Sequence, residues 1–343
     1  FALGFAEYAA ALVPGLNIRY VAAGILLVFF CVNLVGVKPA AILQKYMIVF
    51  LLIGLSTLIF FGILEVDYAQ FSGREALLPN GWDGFGLACV VLSFSTGGAQ
   101  YVSELGGEME NPERDLPRAI IYSTLVAAVF FALVSIVAVG VLPVDQTAGK
   151  PLSEVARAIL PPAVYVAFIV GAGLFALATS INSTFSWATK SVLIACDDGW
   201  LPQGIAVVNT RFNTPHLLLS FLLVLGAAPI LMGWELRYII MLGGGLVFIY
   251  DLIPLIAAFR LPDQLPAVFA RAQMRLSAGQ LKGFCLLGML ILLGQGALSF
   301  SDIDRTGWAL VLAYLILIGL YVRLKPIGPD GSRNEPQDAP ESP

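Results

Sequence analysis

The amino-acid sequence predicts an all-α bundle of transmembrane helices. Three observations predict it: a charged fraction of 12% against 58% hydrophobic residues, a mean hydropathy of +0.86, and ten apolar stretches near the length that crosses a bilayer. Soluble domains carry about a quarter charged residues because their surfaces face water. A lipid-facing surface does not need them, and in lipid each backbone group must be satisfied within the fold, which favours helices.

A helix needs about 20 predominantly apolar residues to cross the hydrocarbon core. In chain order the stretches fall at 1–14, 20–37, 44–64, 84–105, 119–142, 163–190, 216–233, 238–259, 283–300 and 307–323. The first is short, and Phe1 opens in mid-pattern with no initiator methionine and no basic leader segment, as expected of a cut chain. Breaker clusters such as Pro14-Gly15, Pro79-Asn80-Gly81, Pro161-Pro162 and Asp198-Gly199 separate the stretches. Beyond Lys325 the chain is polar and proline-rich, the composition of a disordered tail. The expected organisation is a transmembrane domain over 1–325 and a cytoplasmic tail over 326–343.

Ten crossings put both ends on one side. With the C-terminus in the cytoplasm, 13 of the 19 basic residues fall in or beside inner loops, among them Arg114, Arg211 and Arg271, and 6 fall outside, among them Arg74 and Arg157. The positive-inside rule favours this orientation. The expected location is the plasma (inner) membrane, with the lipid bilayer as the surrounding partner.

Several other classes lose their support. A net charge of −4 gives no footing for nucleic acid. Cys31, Cys89, Cys196 and Cys285 lie far apart, form no CxxC pair and accompany a single histidine, His216, so neither a metal site nor a disulfide framework is expected. Gly171-Ala172-Gly173-Leu174-Phe175-Ala176 matches a dinucleotide fingerprint, but it lies inside an apolar span rather than at a strand-to-helix turn, which points to close helix packing. Asn182-Ser183-Thr184 is formally a glycosylation sequon at membrane depth, out of reach. No Walker A, HExxH or GxSxG pattern occurs. No enzyme activity and no cofactor are expected.

One span stands apart. Within 84–105, an apolar run to Leu92 gives way to Ser93-Phe94-Ser95-Thr96-Gly97-Gly98, followed by Gln100 and Glu104. A polar, glycine-rich patch at bilayer depth reads in two ways. It is a small-residue packing face, or it is a broken helix lining a cavity, as in secondary transporters.

The residues after this patch carry a resemblance. Gly106-Gly107-Glu108-Met109-Glu110-Asn111-Pro112-Glu113-Arg114-Asp115-Leu116-Pro117-Arg118-Ala119-Ile120 resembles the loop after the sixth helix in the amino acid–polyamine–organocation permeases. Ala2-Leu3-Gly4-Phe5-Ala6-Glu7-Tyr8 resembles that family's third helix, Asn33-Leu34-Val35-Gly36-Val37-Lys38 the end of its fourth, and Asp198-Gly199-Trp200-Leu201-Pro202 the turn after its eighth. The resemblance covers the whole chain except its tail. It implies an inverted-repeat transporter fold in which 84–259 is the second repeat, 1–64 the last three helices of the first, and 283–323 two additional helices. It also implies that two helices precede residue 1 and that amides of the absent first helix hold a substrate carboxylate.

The implied function is secondary active transport of amino acids or related amines by alternating access, coupled to H⁺ or Na⁺ or run as exchange. The implied substrate site is Phe94 as gate or lid, with Ser95, Thr96, Gly97 and Gly98 as contact backbone. The half-helix before the glycines is expected to end near Leu92 to Phe94, and its carbonyl end suits an ammonium group. The chain departs from the pattern in having Gln100 where members commonly carry a glutamate and Ala99 where a bulky residue often stands. The run Met47 to Leu55 also lacks the lysine that some relatives place where sodium sits in others.

Charges inside spans are functional candidates, so Glu7 and Asp251 are candidate proton relays or structural partners. Thr179 and Ser180 are candidate sodium ligands through their hydroxyl oxygens, or they bond the preceding helical turn. The alternatives in other classes are an ion channel, for which a single broken span fits poorly, and a membrane scaffold without transport.

Overall fold

A computed structural model describes residues 1–325 apart from 74–76, 79, 148–149, 235, 273–275 and 302–303. For 83, 87, 90–91, 93–96, 108, 144–145, 236–238, 240–246, 249 and 298–301 it describes the backbone alone. The expected tail, 326–343, lies outside the described residues.

Each of the ten apolar stretches carries a helix. These are α1 (Ala2–Leu12), α2 (Ile18–Val35), α3 (Val37–Ile63), α4 (Gly81–Thr96), α5 (Pro112–Val141), α6 (Pro162–Asp197), α7 (His216–Leu231), α8 (Leu236–Gln264), α9 (Ala278–Ser301) and α10 (Arg305–Leu324). Among the described residues no strand forms, only a single bridge between Asn209 and Thr214. Six helices are long and apolar enough to cross a membrane by themselves: α2, α3, α5, α6, α9 and α10. α1 and α7 are apolar but shorter. The chain is an all-α polytopic membrane bundle.

Local chemistry sets the ends. Asn17 caps α2 by accepting hydrogen bonds from the Arg19 and Tyr20 amides, at 3.1 and 3.3 Å. Asp304 caps α10 through the Gly307 amide at 2.8 Å. Pro112 opens α5, with Glu113 and Asp115 in the first turn where the helix dipole favours negative charge. Outward faces are apolar, as a lipid-facing surface requires: Phe60, Leu125, Leu290 and Leu317 are all exposed.

α6 is the central post, contacting α1, α2, α3 and α7. One apolar cluster joins α1, α2, α3, α6 and α7 around Ala6, Phe29, Met47 and Ile181. A second joins the far ends of α3, α5 and α6 around Leu58, Val137 and Phe168. Along α6 a π-turn runs over Ile169–Leu174, and the dinucleotide-like motif begins within it at Gly171. A Cβ on Gly171 would stand 2.7 Å from the Phe50 carbonyl oxygen, and one on Gly54 would stand 2.7 Å from the Ala172 nitrogen. α3 and α6 touch backbone to backbone there, so the motif is a packing device.

Contacts sort the helix ends onto two faces. The ends of α3 and α5 meet on one, where the Asp67 amide donates to the Gly140 carbonyl at 2.9 Å. The ends of α2 and α6 meet on the other: Thr214, past the end of α6, donates to the Leu34 carbonyl at 2.9 Å. On that same face Lys325 Nζ at 2.8 Å and the Tyr321 hydroxyl, both at the end of α10, donate to the Trp200 carbonyl. α8, α9 and α10 form the flank, with α9 also touching α4.

Candidate functional site

α4 ends at Thr96, Gly97 and Gly98 belong to no helix, and a 3-10 segment, Ala99–Glu108, follows. Sequence placed the end of the first half-helix near Leu92 to Phe94. The α-helix runs further because serine and threonine tolerate helical backbone, and it stops where the glycine pair removes the Cβ restriction. Gly98 sits at φ +106°, ψ −18°, in the left-handed region that favours glycine. The last turn of any α-helix leaves carbonyls without intrahelical partners, and here that turn is 93–96. The side chains of Phe94, Ser95 and Thr96 lie outside the described residues, and only their backbone is placed.

The break opens onto a cavity of about 1320 Å³. Gly97, Gly98, Gln100 and Tyr101 line one side, and α6 lines another with Ser180, Ser183, Trp187 and Lys190. Asp251 of α8 also lines it. Tyr101 stacks on Trp187 with ring centroids 4.3 Å apart and planes 7° from parallel, tying the 3-10 segment to α6.

The cavity is also lined by a hydrogen-bonded cluster of amides. Asn33 donates to Asn182 Oδ1 at 2.9 Å and to the Phe29 carbonyl at 2.9 Å. Asn182 donates to Gln44 Oε1 at 2.8 Å and to the Ala40 carbonyl at 3.1 Å. Ser186 donates to Asn33 Oδ1 at 3.0 Å. Asn182 is 2% exposed. Its formal sequon is thus a buried junction of α2, α3 and α6, with both amide hydrogens taken.

The candidate residues divide accordingly. Gly97, Gly98, Ser180 and Asp251 share the cavity, while Glu7 and Thr179 are not part of its lining. Glu7 is on an exposed face of α1. Thr179 and Ser180 both donate to the Ala176 carbonyl, at 2.7 and 3.2 Å, the back-bonded arrangement of helix-interior hydroxyls.

Sequence reasoning did not single out Tyr101, Trp187 or the amide cluster. One signal for the wall was present. Ala176, Ser180, Ser183, Trp187 and Lys190 recur at helical spacing along α6, a stripe of mostly small or polar residues inside an apolar span. Nothing in the spacing marks Asn33 or Gln44, because they join the cluster from two other helices.

The chain is similar in sequence to known permeases and transporters. The chain is 26% identical over 297 residues to a branched-chain amino acid permease of Bacillus subtilis, an alignment covering 84% of this chain and 59% of the relative. It is 25% identical to a methylthioribose transporter of the same organism, over 81% of this chain and 60% of that protein. It is also 25% identical to a mitochondrial cationic amino acid transporter of Arabidopsis thaliana, over 59% of this chain and 34% of that protein. The chain therefore spans about 60% or less of the length of these relatives. The amino acid permease family matches residues 1–326 of the 343, and the chain belongs to that family.

Proposed function

We propose that the protein is a secondary active transporter that moves an amino acid or related amine across a cell membrane by alternating access, with the backbone around Gly97 and Gly98 as its substrate surface. The observation that carries this reading is the helix break at Gly97-Gly98, opening onto a cavity walled by α6 and α8. Broken helices at bilayer depth persist only where protein or a cavity surrounds them, and in transporters they hold the substrate at the midplane. The carbonyl end of α4 presents partial negative charge to a substrate ammonium, and the left-handed glycine permits close backbone approach.

In this reading Phe94 covers the bound solute and Ser95, Thr96, Gly97 and Gly98 contact it. The inverted-repeat assignment, with 84–259 as the second repeat and 1–64 as part of the first, belongs to the same proposal. So does coupling to H⁺ or Na⁺, for which Asp251 is the candidate best placed because it faces the cavity. Glu7, Thr179 and Ser180 are the further candidates. We orient the chain with the face carrying Lys325 in the cytoplasm of a plasma (inner) membrane, on the distribution of basic residues.

The test is uptake by the full-length protein in liposomes. Radiolabelled leucine, lysine and methylthioribose are offered separately under proton or sodium gradients, because the relatives' names span all three chemistries. Accumulation of any one above its equilibrium level supports the reading. Equilibration without concentration under every gradient would identify a passive pathway and overturn it.

A further inference from the structure

The amide cluster of α2, α3 and α6 has a direction, and two backbone carbonyls set it. A carbonyl only accepts a hydrogen bond. The end of Asn33 that meets the Phe29 carbonyl at 2.9 Å is therefore its NH₂, and so is the end of Asn182 that meets the Ala40 carbonyl at 3.1 Å. The second hydrogen of Asn33 goes to Asn182 Oδ1 at 2.9 Å, and the second hydrogen of Asn182 goes to Gln44 at 2.8 Å. Gln44 must turn its oxygen to Asn182, because the reverse orientation would set NH₂ against NH₂. Its own NH₂ is left as the free end of the chain.

That NH₂ meets no acceptor among the described residues, whereas both amide hydrogens of Asn33 and both of Asn182 are taken. Gln44 is half-buried and lines the cavity. From α3 the cavity takes Val37, Ala40, Ala41 and Gln44, and Gln44 is the one polar side chain among them. The Gly97-Gly98 break lines the same cavity.

We infer that Gln44 is a specificity-determining residue whose NH₂ donates to the carboxylate of the transported solute. This rests on the transport reading and assigns a group that tells an amino acid from the amine of the same skeleton. An amide N–H bonded to a carboxylate is charge-assisted, about twice as strong as a bond between neutral groups. The donor is also held before the solute arrives. Turning Gln44 away would strand an Asn182 hydrogen, and Asn182 is itself fixed by α2 and α3. A preorganised donor has less freedom to lose on binding. An amine without the carboxylate leaves the Gln44 hydrogens to water, and a site built to donate discriminates against a ligand that cannot accept. Lys190 of α6 also lines the cavity. It stands eight residues beyond Asn182 on one helix, about 12 Å along the axis at the usual rise. Its attraction for a carboxylate is common to wild type and Gln44 variants and cancels when they are compared.

The experiment is equilibrium binding to the full-length protein in nanodiscs at neutral pH, with two acid–amine pairs. Leucine is paired with isopentylamine, and lysine with 1,5-diaminopentane. The wild type is expected to bind the acid of a pair more tightly than its amine. Gln44→Met keeps the length and removes the donors, and should lower the acid-to-amine affinity ratio about tenfold, the worth of one hydrogen bond to a charged group. Gln44→Glu keeps an acceptor for Asn182 and turns the cavity end from donor to acceptor, so its ratio should fall at least as far. A purely structural role would weaken acid and amine alike, and an unchanged ratio in Gln44→Met overturns the inference. If that variant fails to give the wild-type size-exclusion profile, Gln44→Glu decides on the same criterion. Equal binding of acid and amine by the wild type overturns the inference without any variant. Binding of neither pair by the wild type sinks the amino acid reading and this inference with it, which separates that failure from an unchanged ratio.

Discussion

Replacing Gly98 by alanine tests whether the break is a conformational requirement or merely a loose spot. At φ +106° and ψ −18° the residue lies where an L side chain is strained. Crowding is not the obstacle: a Cβ built there meets nothing closer than Tyr101 Cδ2 at 3.9 Å, an ordinary van der Waals contact. The penalty is therefore backbone strain alone, about 1–2 kcal/mol for a non-glycine residue in left-handed geometry. That corresponds to about a 5- to 30-fold loss in the population of the broken conformation. Asparagine tolerates left-handed backbone better than other residues, so the series Gly, Asn, Ala should fall in that order. Leucine adds bulk beside Tyr101 to the same strain and should abolish binding. The assay is equilibrium binding of radiolabelled leucine, or whichever probe the uptake panel selects, with thermal unfolding in detergent run in parallel. Equal affinity and equal melting across Gly, Asn and Ala would refute the argument, because strain at this residue could not then matter to the site.

Two further outcomes follow from the same structure. With Cys31, Cys89, Cys196 and Cys285 removed, single cysteines at the exposed positions Ser72 and Ser277 should react with membrane-impermeant maleimide from opposite sides, and labelling of both from one side would sink the topology. Asn182→Ala should lower the unfolding midpoint by the equivalent of about 1–3 kcal/mol, because it strands Gln44, Asn33 and the Ala40 carbonyl at once. A variant melting with the wild type would show that water or rearranged side chains satisfy those groups.

Hydropathy by itself located every long helix, because lipid demands an apolar surface wherever the backbone crosses it. Breakers marked the turns between them, and the Gly97-Gly98 pair marked the discontinuity at bilayer depth. Its exact register was not legible. α4 continues to Thr96 because a helix ends where the backbone finds a left-handed residue, not where the side chains first turn polar. The same limit applies to the intramembrane polar groups. Glu7, Asp251, Thr179 and Ser180 look alike in a sequence, each a polar residue within an apolar run. Tertiary packing separates them: Asp251 and Ser180 line the cavity, Glu7 is exposed on α1, and Thr179 is buried outside the cavity lining. Asn182 is the clearest case, since a local motif offers it as a surface acceptor while α2 and α3 enclose it. Hydropathy is a sum over neighbours in the chain. Which polar atoms meet across helices separated by more than a hundred residues depends on how those helices rotate about their axes, and only the packed bundle decides that.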